Sequence, residues 1–455
     1  VADPNVARVL NRKTEGKHGH APNQELVGAE RLKARIKRKA VEHPEVTPAQ
    51  LLRTELPGVS SGIISQMPER ENLKKAIRTA RLKDMPNNPL SLGELGEISA
   101  RYQSTLGGEP FLLHDTRDED DDEEGGDEEE RLLVFGTRRN VERLLKCTEW
   151  FVDGTFKTAA HLFLQLFTIL GLVRSPPVKV GEAERKTALP LVYALMTSKQ
   201  QVHYSKVLDV VKSAATRFRV PLLFPTSVMA DFEVAILNAV KAMIPDSIVR
   251  ACFFHLGQSM YRKVAAVGLQ KAYNDPEDRS VKNAVHSLLA LAFVPLDDVV
   301  DTFIALDRSL PAALREVSQY FDETYVRGPR ARRQRRGVAQ RPRYDPALWN
   351  TYDATLRDEH RTNNLSEGWH NRFQGVIGKN HPSIYAALGE IQKEQADTET
   401  MLHELTLGRR VKAAPKKKWL DQQRRVKAVV SEYGVYKDED RVLDYLRTLG
   451  HLFTL

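Results

Sequence analysis

The chain has 455 residues, 41% of them apolar, which is enough to build a core in two to four domains and excludes disorder throughout. Two cysteines, Cys147 and Cys252, exclude a disulfide framework and a zinc site of several thiolates, and fit a reducing compartment. The net charge is +8, but residues 118–130 hold eleven carboxylates and no base, which leaves +19 on the rest and points to a polyanionic partner or to a well-solvated basic surface.

The start is polar and basic where a secretory leader needs an apolar stretch, and an opening on Val1 reads as a piece of a longer product. Residues 1–100 form a basic, helical N-terminal region. Thr47-Pro48 predicts an N-cap and first helical position, Pro57-Gly58 a stop, and Glu69–Leu82 an amphipathic helix. Two short helices around a turn read as a helix-turn-helix or as an ordinary helical pair. Residues 115–130 are an acidic, disordered loop, either a DNA mimic or a solvated linker. From Leu132 the pattern becomes regular. Strands are predicted over 149–158, 162–173 and 188–197, then a helix over 203–218, a strand over 227–230 and a helix over 232–243. A strand over 249–254 and a helix over 255–267 complete the order β-β-β-α-β-α-β-α. The longest apolar run, 162–173, contains Gln165 and is too short to span a bilayer. The fold class is therefore α/β, a mixed sheet flanked by helices. Helical spacing dominates 275–360, and Arg327–Arg343 carries eight arginines without an acid. Helices follow over the segment containing NNLSEGWHNRF and over 383–407, and residues 409–455 form a basic tail.

Asp153 lies near the end of the first of these strands and Asp231 immediately after the fourth, so neighbouring strands would bring both to one sheet edge. Glu367, near a helix start, is the natural third acid. Carboxylates without softer ligands suit Mg²⁺ or Mn²⁺, and two such ions can activate a hydroxyl and stabilise a leaving oxygen at a phosphodiester. Taken singly, each acid reads as a cap or a surface charge, and Asp231 is an ordinary N-cap residue. Glu233 is a competitor expected on the following helix surface.

The segments VDGTFKTA, FLQLFTI, LPLVYALMTSK, MADFEVAILNAV, CFFHLGQSMYRKV, LLALAFVP and RTNNLSEGWHNRF occur in the order seen in Mutator-like element (MULE) transposases, and the chain resembles that family over about residues 130–400. The resemblance implies an RNase H-like core, 131–274 and 361–408, interrupted by an α-helical insertion, 275–360. It implies Asp153, Asp231 and Glu367 as catalytic, metal-holding residues for two Mg²⁺ or Mn²⁺ ions, and cleavage and joining of double-stranded DNA at terminal repeats and target. A nuclear protein that forms a homo-oligomer while pairing two ends is implied as well, with no membrane partner. Cys252 and His255 form a C-x-x-H word similar to the family's. Two ligands cannot close a zinc site, so no zinc is expected, and His255 is assigned to DNA or the metal site. His18 and His20 resemble the end of a FLYWCH-type zinc finger whose cysteines are not in this sequence.

His370, one turn after Glu367, reads as a cleft residue or a structural histidine, and Trp369 as a base-stacking or a packing residue. Arg330, Arg332, Arg333, Arg335 and Arg336 are candidate phosphate contacts, and the basic tracts 31–39 and 409–427 are phosphate contacts or nuclear import signals. Two rivals remain: a domesticated DNA-binding descendant that no longer cuts, which has no physical need for three acids, and an RNase H-like nuclease without strand transfer.

Overall fold

The computed structural model describes residues 23–43, 46–82, 87–118, 130–175, 185–329, 341–413 and 416–453. The His18–His20 pair, most of the acidic stretch and Arg330, Arg332, Arg333, Arg335 and Arg336 lie outside them. The chain divides into two units between Asn87 and Asn88.

The first unit is helical, with α1 (Gln24–Glu42), α2 (Pro48–Glu55), α3 (Ser61–Ser65) and α4 (Arg70–Leu82). Thr47 and Gln50 close a capping box at α2, with Pro48 in the first turn as the sequence predicts. Leu32, Ile36 and Ala40 recur at four-residue spacing on α1 and meet Leu51, Leu52, Leu73 and Ile77 in a small core. Glu55 is buried beside it because Arg35 at 2.9 Å and Lys39 at 2.6 Å neutralise it. The helix pair expected around Pro57-Gly58 is present as α2 and α4, with α3 between them.

The second unit is built on a seven-stranded sheet: β1 (Leu112–Asp115), β2 (Leu132–Phe135), β3 (Glu149–Thr155), β4 (Gln165–Ser175), β5 (Arg185–Met196), β6 (Ser227–Ala230) and β7 (Ile248–Ala251). Their spatial order is β1-β2-β5-β4-β3-β6-β7. The predicted meander is β3-β4-β5, antiparallel throughout, and β6 and β7 add parallel to β3. This mixed sheet flanked by helices is the expected RNase H-like α/β class. The pair β1–β2 extends it beyond β5, and β1 has no separate sequence signal because it is four residues long and two of them, His114 and Asp115, are polar. The fifth predicted strand stops at Ala251 rather than Phe254, since Cys252 already caps the next helix.

Helices α5 (Arg138–Leu145), α6 (Gln201–Phe218), α7 (Val234–Met243) and α8 (Phe253–Ala266) accompany the sheet. The insertion follows with α9 (Ser280–Ala290), α10 (Val299–Ser309), α11 (Arg315–Phe321) and a π-helical turn over Asp322–Val326. The chain then returns through α12 (Asn364–Ile377) and α13 (Ile384–Thr406), and ends with α14 (Lys417–Ser431) and α15 (Val442–Leu452). Two devices hold these late helices to the core. Asn140 on α5 and Gln395 on α13, both fully buried, exchange amide hydrogen bonds of 2.7 and 3.0 Å, and Asn140 also donates to the Leu191 carbonyl of β5. At the insertion, α15 lies against α9: His286 bridges Tyr273 Oη and the Gly450 carbonyl, and a Cβ at Gly450 would come within 3.2 Å of His286 Cβ.

The insertion also braces the strand ends. Phe232, beside Asp231, packs against Tyr325 and Tyr344, and Tyr344 Oη donates to the Phe232 carbonyl at 2.7 Å. Phe253, at the start of α8, packs against Phe293 and Phe453. Aromatic burial of this kind is stabilising by about 1.5–3 kcal/mol per side chain, which fixes the turns carrying the polar groups described next.

Candidate active site

The parallel register Phe151–Met229 puts Asp153 and Asp231 level, each two residues further along its strand direction. They sit at the carboxyl ends of adjoining parallel strands, where α/β sheets open a crevice. Helix α8 buries Leu256, Met260 and Val264 at four-residue spacing. His255, about 100° around the helix from Leu256, is thereby turned to the same edge. Helix α12 packs on β3, burying Ser366, Trp369, His370 and Phe373. Glu367 occupies its first turn, where the helix dipole favours a negative charge.

These elements bring the three acids close enough for Asp231 and Asp153 both to act on Glu367, with one imidazole between Asp231 and Glu367 and a second on Asp153. His255 Nδ1 lies 2.9 Å from Asp231 Oδ1, off the hydrogen-bond line, and its Nε2 lies 3.6 Å from Glu367 Oε1. His370 Nδ1 lies 3.0 Å from Asp153 Oδ2, and its Nε2 meets Thr168 Oγ1 at 3.1 Å. Asp153 Oδ1 accepts from the Gly154 N–H at 2.8 Å. A Cβ at Gly154 would fall 2.4 Å from Gln165 Oε1, so a side chain there would require the Gln165 amide to shift.

Charge is unevenly balanced in this cluster. Burial disfavours the His255 imidazolium, yet the Asp231 carboxylate and Cys252 beside it carry its pKa up to about 10. Burial raises the Glu367 pKa above the usual carboxylate range; His255 opposes the rise, and the charges of Asp231 and Asp153 add to it. Glu367 Oε1 is buried with no hydrogen-bond donor among the described residues. An orphaned carboxylate oxygen beside two further acids is a donor set suited to hard divalent cations, so the residues present fit Mg²⁺ or Mn²⁺.

Several residues here were not singled out from the sequence. Asn363, fully buried, donates from Nδ2 to the Val152 carbonyl and to Asp231 Oδ1, each at 3.3 Å, while its N–H meets Cys252 Sγ at 3.0 Å. Its signal was a polar residue directly ahead of a helix. Gln165 donates to Tyr204 Oη at 2.6 Å, which in turn donates to Glu233 Oε1 at 2.6 Å. A lone amide inside a 12-residue apolar run was the available sign of that chain. Glu233 is the N-cap residue of α7, turned toward Tyr204 rather than lying on the helix surface. Cys252 adds a further feature: its sulfur, an Asp231 oxygen and a His255 nitrogen lie within 4.8 Å of one another, giving the C-x-x-H pair a third donor.

His370 is 8% exposed with both ring nitrogens engaged, which makes it a support for Asp153 in this arrangement. Trp369 is buried, stacks on Phe373 and donates from Nε1 to Glu394 at 2.6 Å, so a base could stack on it only after α12 repacked.

Residues 149–259 match the family model of the MULE transposase domain. No curated protein matches the chain. The matched span runs from the start of β3 into α8 and includes Asp153, Asp231, Cys252 and His255, while Glu367 lies beyond it. The chain thus carries a MULE transposase domain, and DNA is its partner in general terms.

Proposed function

We propose that this protein is a DNA transposase in which Asp153, Asp231 and Glu367 hold two Mg²⁺ or Mn²⁺ ions against a phosphodiester, cutting transposon ends and joining the freed 3′-hydroxyl to target DNA. The observation that carries this reading is the convergence of three acids, the last of them 136 residues after the second, on one sheet edge. The ions would supply activation of the attacking hydroxyl and stabilisation of the leaving oxygen. The protein's part is placement. Gly154 N–H and His370 fix both oxygens of Asp153, Asn363 holds Asp231, and α12 carries Glu367 to the edge. His255 neutralises Asp231 and Glu367 when no cation is present and moves aside or donates to a phosphate when DNA enters. Nuclear localisation and assembly as a homo-oligomer at paired ends belong to the same reading.

The test is a cleavage and strand-transfer assay with Mg²⁺ or Mn²⁺ on DNA carrying the element's terminal repeats, comparing wild type with Asp153→Asn, Asp231→Asn and Glu367→Gln. Wild type is expected to cut and join, and each variant to bind without cutting. A wild type that binds the repeats but neither cuts nor joins with any metal replaces this reading with that of a domesticated DNA-binding protein. Cutting without joining replaces it with that of a nuclease.

A further inference from the structure

The segment 358–363 does more than deliver Asn363 to the acids. Before reaching them it forms one wall of a cleft of about 640 Å³, whose other walls come from β5, the end of α13 and the start of α14. Five cations line it: Lys186, Arg361, Arg409, Arg410 and Lys412. Two acids also line it, and both are engaged by cations outside the lining. Glu359 pairs with Arg250 at 2.6 Å and Arg357 at 3.2 Å, and Asp358 pairs with Lys427. Of the cations, Lys186 lies 3.9 Å from Glu149, and the other four have no carboxylate within ion-pair distance among the described residues.

Arg361 is the most telling of the five. It is partly buried, stacks over Phe293 at 5.5 Å, and has no carboxylate within ion-pair distance among the described residues. Burial holds its pKa below the ordinary arginine value. The cation–π contact holds the guanidinium against the ring, and no described residue takes its N–H groups, which leaves them available to an oxyanion. Its backbone is fixed too, since the Arg361 carbonyl accepts from the Phe253 N–H at 3.0 Å. Arg409 and Arg410 are exposed and likewise lack ion-pair partners among the described residues. Enclosing an unpaired cation is unfavourable, and an anionic ligand relieves that cost.

We infer that this cleft is a phosphate-backbone site for the DNA whose scissile bond lies at the acid cluster, with Arg361 as its central contact. The inference rests on the proposed function. Arg361 and Asn363 are two residues apart, at most about 7 Å of chain. The far wall lies further off: Lys186 pairs with Arg174, six residues along β4 from Thr168, the partner of Asp153, or about 20 Å of strand. The cleft would then grip the backbone from about two to six base-pair steps away, at about 3.4 Å of rise each, and fix the register of the bond being cut. Backbone contacts of this kind position the duplex without reading its sequence.

The test measures binding of full chain to a fluorescent terminal-repeat duplex by anisotropy, in EDTA so that no metal chemistry contributes, over a series of salt concentrations. Arg361→Gln and the double variant Arg409→Gln/Arg410→Gln are each expected to weaken binding and to flatten the log–log salt slope by about one unit for every phosphate no longer neutralised. Arg361→Lys should retain most of the slope. A double variant removing two exposed cations elsewhere, Lys271→Gln/Arg308→Gln, should leave it unchanged. Because Arg409 and Arg410 are exposed, their replacement tests the site even if Arg361→Gln fails to fold. Unchanged slopes in the cleft variants, or an equal loss in the remote pair, overturn the inference. So does thermal stabilisation of the cleft by inorganic pyrophosphate with DNA binding insensitive to all these changes, which would mark a small-anion pocket. A cleft-dependent slope in a protein that does not cut leaves this site standing and defeats the catalytic reading alone; a wild type that binds no DNA defeats both.

Discussion

Asn363→Asp exchanges an amide nitrogen for an oxygen at nearly constant volume, so it isolates the charge balance at the acids from packing. In the wild type, Nδ2 faces the Val152 carbonyl and Asp231 Oδ1, each at 3.3 Å, from a fully buried position. Losing these two long hydrogen bonds costs about 1–3 kcal/mol. A second carboxylate at that distance from Asp231 adds a repulsion of up to about 5 kcal/mol at an effective dielectric constant of about 20. Keeping the new carboxyl protonated near neutral pH costs a similar amount, about 5 kcal/mol from an ordinary pKa of about 3.9, but restores one O–H donor. The cheaper of these routes sets the outcome, an expected loss of about 3–5 kcal/mol at pH 7.5. The new carboxyl has a raised pKa in the folded state, so the folded protein binds more protons than the unfolded one and stability falls as pH rises above about 4. Urea denaturation from pH 8 down to pH 4.5 should therefore show a deficit that shrinks with falling pH. Asn363→Leu, which cannot titrate, should show a flat one. Added Mn²⁺ should restore Asn363→Asp more than it stabilises the wild type. A deficit in Asn363→Asp that is as flat as that of Asn363→Leu, with no differential effect of Mn²⁺, would refute the placement of this side chain against Asp231.

His370→Phe removes the donor to Asp153 Oδ2 and is expected to weaken Mn²⁺ binding and strand cleavage by about 10–100-fold while leaving duplex affinity unchanged. His370→Asn, which keeps a donor near the Nδ1 position, should recover part of both; equal losses in the two variants would mean that His370 acts through packing. Asp115→Ala strands the buried Arg131 guanidinium, which now makes bonds of 2.9 and 2.6 Å to that carboxylate, and should destabilise the second unit by about 3–5 kcal/mol. Asp115→Leu combined with Arg131→Met should recover most of that loss in the same denaturation experiment.

The sheet was legible because its strands are long and rich in branched and aromatic residues: β4 is buried at ten of its eleven positions, and such a run has few other solutions. Asp153 and Asp231 were legible because both stand at strand ends, where side-chain period and strand direction place them. Glu367 could be offered only as an acid near a helix start and then by resemblance, since no local pattern says that α12 packs on β3. What remained illegible was pairwise. Nothing near Asn140 announces Gln395, 255 positions away, and nothing near Arg361 announces Lys186 or Arg409. Such pairings are set by tertiary packing, which period and propensity do not encode.

The order of the acids along the chain has a consequence for biosynthesis. A ribosome releases Asp153, Asp231 and all seven strands well before it has polymerised Glu367, and α15, which lies against α9, emerges later still. Every truncated or still-growing polypeptide that stops short of α12 carries at most two of the three carboxylates. If all three acids are needed for cutting, as proposed, this order withholds cleavage until α12 has been made, without any separate inhibitor.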